Sequence, residues 1–293
     1  VVSRFINDIN GLRVHILEAG NNYSDRPTVL LLHGFPELAY SWRRVIPTLA
    51  QAGYYVIAPD QRGYGRTTGW SSNYEADVSP FKVVNLLRDI LCLLNKLGRA
   101  HVDAVIGHDF GAHVAAYASL IRPDIFRAVV LMSAPFQGPP SRNIAAKDTI
   151  HSELAKLCVP RKHYQWYYSS AQANQDMHHC PQGVGRFLRA YFHHKSADWA
   201  GNSPFPLEGW EAEQLAQMPT YYIMNLDENM ATTVAREMPS AAHVKANKWL
   251  PDNELLIYSE EYERTGFQGG LNWYRCRTDD AYHQELDVFD GAK

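Results

Sequence analysis

The apolar run Val102–Ile106 ends in Gly107-His108-Asp109-Phe110-Gly111 and leads straight into an alanine-rich stretch ending at Ala118. Two glycines flanking a central residue at this spacing fit a sharp strand-to-helix turn, because small neighbours leave room for the bend and the middle side chain is lifted above the sheet. A chain built this way is restricted to an α/β architecture, a mostly parallel sheet with helices on its faces. The raised residue is Asp109. A carboxylate that attacks a carbonyl gives only a labile anhydride, whereas one that attacks a saturated carbon bearing a leaving group gives an alkyl-enzyme ester. The motif therefore points to an epoxide or an alkyl halide as substrate. The competing reading is an ordinary aspartate capping the helix that starts at Phe110.

The rest of the chain is consistent with such a sheet. Ser3–Asp8 and Leu12–Glu18, separated by Ile9-Asn10-Gly11, read as a hairpin because Asn-Gly readily takes positive φ. Thr28–Leu32, Tyr54–Pro59, Val102–Ile106 and Arg127–Met132 are unbroken apolar runs of the kind expected for buried parallel strands. Between them lie helices. The clearest is expected to start with Ser79 as N-cap and Pro80 at its first position, to carry Val83, Leu87, Ile90, Leu94 and Leu97 on one face, and to stop at Gly98. From about Gln137 the pattern changes to short helices and loops rich in Tyr, Trp and His. The expected organisation is a core over 1–136, an inserted helical lid over 137–275, and an incomplete return to the core over 276–293.

Composition excludes several functions. With a net charge of −3 and no Lys/Arg run, the chain has no electrostatic footprint for nucleic acid or an anionic membrane. No stretch is long and apolar enough to cross a bilayer, and Val1-Val2-Ser3-Arg4-Phe5 is not a secretory leader. Cys92, Cys158, Cys180 and Cys276 lack C-x-x-C spacing and read as reduced thiols, so the expected location is cytoplasmic. The pairs His178-His179 and His193-His194 have no carboxylate at a ligand spacing, so no metal is expected, and no cofactor either.

His33-Gly34-Phe35-Pro36 follows the Thr28–Leu32 strand, the position from which a backbone N–H reaches an oxyanion hole. The hole would be made by the N–H groups of Phe35 and Phe110, with His33 a structural imidazole. Deacylation of an Asp109 ester needs such a hole, and losing one donor typically costs roughly 2.7–4 kcal/mol. Asp60-Gln61-Arg62-Gly63-Tyr64-Gly65 reads as scaffold with an Asp60–Arg62 ion pair.

These segments together resemble the α/β-hydrolase family and, within it, the soluble epoxide hydrolases. His33-Gly34-Phe35-Pro36-Glu37, Asp60-x-Arg62-Gly63-Tyr64-Gly65 and Gly107-His108-Asp109-x-Gly111 look like motifs that this family shares with dehalogenases, while Thr265-Gly266-Phe267-Gln268-Gly269-Gly270-Leu271-Asn272-Trp273-Tyr274-Arg275 is particular to epoxide hydrolases. The resemblance implies conversion of an epoxide to a vicinal diol, a detoxifying reaction, by an Asp109 nucleophile under a helical lid. Two tyrosines would hold the epoxide oxygen, and by motif position they fall on Tyr164 and Tyr258. The chemistry fits: an opened oxirane leaves an alkoxide, and a phenol with a pKa near 10 is protonated at neutral pH yet acidic enough to share its proton. Tyr167, Tyr168 and Tyr262 are competing choices among the 17 tyrosines, and most lid aromatics serve only to bury area.

The family pattern continues beyond the lid with two more strands, an acid and a histidine, none of which is found here. His283 lies in what reads as a polar surface loop and is not assigned as the base. A sheet without those strands would keep an unpaired edge, which predicts association with another chain, a homodimer included. A carbon–halogen hydrolase and a non-catalytic ligand-binding protein on the same scaffold are the alternative functions.

Overall fold

The computed structural model describes residues 1–21, 26–139 and 149–291. The chain forms two compact units, Val1–Asn143 with Gln268–Lys293, and Ile144–Phe267.

The first unit is built on a six-stranded sheet. Strands β1 (Val2–Ile9) and β2 (Leu12–Ala19) form the antiparallel hairpin, turning through Asn10 and Gly11 at φ 49° and 81°. Strands β3 (Thr28–Leu32), β4 (Tyr55–Pro59), β5 (Ala104–His108) and β6 (Val129–Met132) run parallel, and the spatial order is β1-β2-β4-β3-β5-β6. Because side chains alternate along a strand, Val29 and Leu31 of β3 and Val56 and Ala58 of β4 share one face. There they pack with Trp42 and with Ile46 of α1 (Val45–Gln51). Ile46 is fully buried, and truncating such a residue costs about 2–5 kcal/mol. Register places Leu32 of β3 beside Gly107 of β5, so the segments leaving the two strands emerge next to each other.

Helix α2 (Val83–Lys96) begins later than expected, because Ser79–Phe81 is a separate 3-10 turn and Lys82 caps the helix. Lys82, at φ −59° and ψ 144°, leaves helical geometry and separates the turn from the helix. Helix α3 (Phe110–Ile121) follows β5 at once. Strand β6 departs from the buried strand expected: Val129, Val130 and Met132 are each about 40% exposed or more, and β6 is the last strand in the order among the described residues.

The second unit contains α4 (Ile150–Leu154), β7 (Arg161–His163), α5 (Tyr164–Tyr168), α6 (Gln172–His178), α7 (Val184–His194), α8 (Ala212–Leu215), β8 (Ile223–Asn225), α9 (Met230–Ala235), α10 (Ala241–Ala246) and α11 (Asp252–Thr265). The ribbon β7–β8, antiparallel with Lys162 opposite Met224, stands where only helices and loops were expected. Ile150, Leu154, Ala212, Leu215 and Ile223 form one of its cores. Of the expected lid, residues 140–148 lie outside the described residues.

Gln268–Arg275, expected in the lid, belongs to the first unit as part of α12 (Gln268–Thr278). The reason is local packing: the Trp273 indole N–H donates to the Arg62 carbonyl at 2.9 Å, and the Tyr274 ring meets Phe110 at 4.6 Å. Gly269 and Gly63 touch backbone to backbone, where a Cβ on Gly269 would fall 2.1 Å from the Gly63 carbonyl oxygen.

Candidate active site

The turn after β5 holds Asp109 at φ 54° and ψ −121°, a conformation rare for a residue with a Cβ and costing of order 1–3 kcal/mol. Its glycines are required by contact. A Cβ on Gly107 would lie 2.1 Å from the Gly111 carbonyl oxygen, and one on Gly111 would lie 2.1 Å from the Leu32 carbonyl oxygen. The capping alternative fails on geometry, because Asp109 is the N-cap of α3 but its side chain makes no capping hydrogen bond. Instead the Phe35 N–H donates to Asp109 Oδ1 at 3.0 Å. Gly34 makes that approach feasible: a Cβ there would sit 2.4 Å from both the Cβ and Oδ1 of Asp109.

The surroundings are aromatic and mostly buried. Phe35 and Phe110 are each under 10% exposed, and both rings pack edge-on against Tyr274, at 5.5 and 4.6 Å. The Phe35–Pro36 peptide is cis. Beside the elbow, Glu37 Oε2 lies 3.7 Å from His108 Nδ1, a pair that motif spacing alone does not reveal.

Beneath the carboxylate a polar scaffold fixes the loops. The buried His33 ring donates from Nδ1 to the Gly34 carbonyl at 2.9 Å and accepts the Gln61 N–H on Nε2 at 3.1 Å, which defines a neutral tautomer. Burial pushes its pKa down, in agreement. Asp60 does not pair with Arg62 as expected. Its carboxylate bonds His15 Nδ1 at 2.7 Å and the N–H groups of Ala39 and Arg66 at 2.8 and 3.0 Å. Arg62 reaches instead to Asp89 on α2 with two 2.7 Å bonds. A two-residue separation in a turn aims the side chains apart, whereas α2 presents Asp89 to the buried guanidinium.

In the second unit Tyr164 is half-buried at the start of α5, where its N–H donates to the Tyr222 carbonyl at 2.8 Å and Gln165 Nε2 donates to its hydroxyl at 3.2 Å. Tyr258 is buried on α11, its ring edge-on to Phe192 at 5.4 Å. The competing tyrosines are engaged otherwise. The Tyr167 hydroxyl donates to Asp176 Oδ2 at 2.9 Å, and that of Tyr168 to the Tyr191 hydroxyl at 3.4 Å. The Tyr262 ring stacks on Phe267 at 4.5 Å.

No group of three or more His, Cys, Asp and Glu side chains suited to a metal ion occurs among the described residues. The segment expected as a polar surface loop is exposed at Asp280, Ala281 and Gln284, while His283 itself is half-buried. It lines, with Phe110, His113, Trp273 and Arg277, a cavity of about 20 Å³ in the first unit. Burial lowers the pKa of His283 and takes that of His113 down to about 3.

Residues 27–252 match the model of the alpha/beta hydrolase fold family. Epoxide hydrolase A of Mycobacterium tuberculosis is 34% identical to the chain over 268 residues, which cover 92% of the chain and 72% of that protein. The chain belongs to the epoxide hydrolases of the α/β-hydrolase fold family. Other epoxide hydrolases agree in sequence and in structure. That of Caballeronia sordidicola is 30% identical over 91% of the chain and 68% of its own length. The solved epoxide hydrolase from an endophytic Streptomyces superposes with a TM-score of 0.76 at 27% identity, covering 99% of the chain and 76% of that structure. Epoxide hydrolase A from Mycobacterium thermoresistibile gives a TM-score of 0.72 at 31% identity, over 98% and 78%.

Proposed function

We propose that this epoxide hydrolase opens its substrate through a covalent ester on Asp109, with Tyr164 and Tyr258 supplying the proton to the leaving oxygen. The observation that carries this reading is the carboxylate raised on a left-handed elbow and bonded to the Phe35 N–H. An Asp109 oxygen forms a bond to an oxirane carbon while the carbon–oxygen bond of the ring breaks. The electron pair goes to the epoxide oxygen, which takes a proton from a tyrosine hydroxyl. Water then adds to the ester carbonyl and loses a proton, which restores the tyrosinate to the phenol; the oxyanion is held by the Phe35 and Phe110 N–H groups, and collapse expels the alcohol oxygen, which takes the remaining acid proton to give the vicinal diol and the free carboxylate.

Placing Phe35 N–H at Asp109 Oδ1 suits this second step, since the oxygen it already contacts is one that the ester carbonyl can use. Tyr164 is selected by its motif position, and the bond from the Tyr167 hydroxyl to Asp176 speaks against that neighbour. A division of the chain into a core and an inserted lid supplying the acids is part of the same proposal, as is a small-molecule epoxide as the partner. No general base is assigned to a residue of this chain.

The alternative use of the same carboxylate, displacement of a halide, needs N–H donors around the departing ion rather than phenols facing an alkoxide. The test presents an epoxide and an alkyl chloride of the same carbon skeleton. Consumption of the epoxide with no release of chloride is the expected result; faster chloride release overturns the reading.

A further inference from the structure

Lys195, at the C-terminal end of α7, places its ammonium over three tyrosine rings at once. Nζ lies 4.9 Å from the ring centre of Tyr191, 5.1 Å from that of Tyr221 and 5.0 Å from that of Tyr222, and it donates to the Tyr191 hydroxyl at 3.1 Å. A lysine that merely decorates a surface extends its charge into water. This one is half-buried and turned inward onto aromatic faces, whose quadrupoles attract a cation within about 6 Å.

Of the rings it holds, Tyr222 packs directly against Tyr164, and Tyr191 reaches it through Tyr168. The Tyr222 ring meets Tyr164 at 5.3 Å, and the Tyr222 carbonyl accepts the Tyr164 N–H. From another side the fully buried Tyr168 ring stands edge-on to Tyr164 at 5.6 Å. The Tyr168 hydroxyl donates to that of Tyr191, the oxygen that also accepts from Lys195. Two short routes thus connect one charge to one ring: Lys195–Tyr222–Tyr164, and Lys195–Tyr191–Tyr168–Tyr164.

We propose that Lys195 is a positioning residue for Tyr164, its ammonium locking the tyrosine walls that aim the Tyr164 hydroxyl at the epoxide oxygen. The proposal rests on the reading of Tyr164 as a proton donor. A donor displaced by a fraction of an ångström loses much of its effect on the transition state, so slackening the walls slows ring opening more than it weakens binding. Arginine can replace the cation over the rings; methionine keeps the stem length and removes the charge.

The experiment follows ester formation on Asp109 by quenched intact mass at a series of styrene oxide concentrations, in the parent chain, Lys195→Met, Lys195→Arg, Tyr164→Phe and the Lys195→Met/Tyr164→Phe pair. Lys195→Met is expected to slow the saturated rate about tenfold while the half-saturating concentration moves less than about twofold. Lys195→Arg is expected to recover to within about threefold of the parent, and Lys195→Met to add less than about twofold in the Tyr164→Phe background. An unchanged rate in Lys195→Met, a Lys195→Arg as slow as Lys195→Met, or full additivity in the pair overturns the role of Lys195 while leaving Tyr164 in place. A Tyr164→Phe chain that reacts at the parent rate overturns the tyrosine assignment itself, and the route from Lys195 with it.

Discussion

Gly34 and Asp109 are separated by 75 residues, yet a Cβ on Gly34 would fall 2.4 Å from Asp109 Oδ1. The contact exists because β3 and β5 are adjacent and in register at Leu32 and Gly107, so the loop leaving one strand runs against the elbow leaving the other. Sheet topology, rather than local sequence, brings the Phe35 N–H to the carboxylate.

Gly34→Ala is expected to push the Asp109 side chain off the Phe35 N–H and to slow ester formation about 100-fold, the scale of a misplacement near 1 Å. The measurement is a single-turnover rate beside a thermal midpoint. A rate within a few-fold of the parent in a folded variant contradicts the account of the elbow.

Tyr164→Phe and Tyr258→Phe are each expected to slow ring opening roughly 10- to 100-fold, and the pair to lose nearly all of it, since general acids typically contribute 10²–10⁴. Tyr167→Phe serves as control. Its hydroxyl is engaged with Asp176, so stability should fall by about 1 kcal/mol with the rate unchanged.

Arg62 and Asp89 are both under 10% exposed and doubly bonded. Arg62→Ala should cost about 3–5 kcal/mol in a urea titration, because it strands a buried carboxylate. Adding Asp89→Leu should recover much of that loss. An equal loss in the single and double variants contradicts this.

Stability should fall on acidification through buried neutral histidines in both units. His194 is 1% exposed, lies edge-on between Trp199 and Tyr221, and its Nδ1 has no hydrogen-bond partner among the described residues. Burial takes its pKa down from 6.5 to about 4; His193 and Lys195 push the same way and Glu237 opposes them. Below 6.5 the unfolded chain binds a proton that the fold rejects until about 4. Its contribution is therefore complete above 6.5 and is lost as the pH drops from there toward 4, at most about 1.4 kcal/mol per pH unit. His33, also held neutral, adds to the same slope. His194→Phe should flatten the stability profile between pH 6.5 and 4 without lowering the midpoint at pH 7.5; an unaltered slope contradicts the assignment.

Much of the core was legible in the sequence, because a central parallel strand is buried on both faces and reads as an unbroken apolar run, as in Thr28–Leu32. The elbow was legible because its contacts are steric and demand glycine at 107 and 111. The partner of Arg62 was not: Asp60 is near in sequence, whereas Asp89 is brought close only by the packing of α2. Three-residue strands such as β7 and β8 are too short to carry an alternation. Gln268–Arg275 belongs to the core through contacts with Arg62, Gly63 and Phe110, and none of these is visible along the chain.

On the proposed mechanism an oxygen of Asp109 becomes bonded to substrate carbon. The most direct measurement of that bond is the mass of the peptide containing Asp109 after acid quench and digestion of the chain caught in the act of consuming styrene oxide. An increment equal to one epoxide is expected on residue 109, absent when Asp109 is replaced by alanine. Diol formation with no increment there at any quench time, or an increment on another residue that survives Asp109→Ala, contradicts the mechanism.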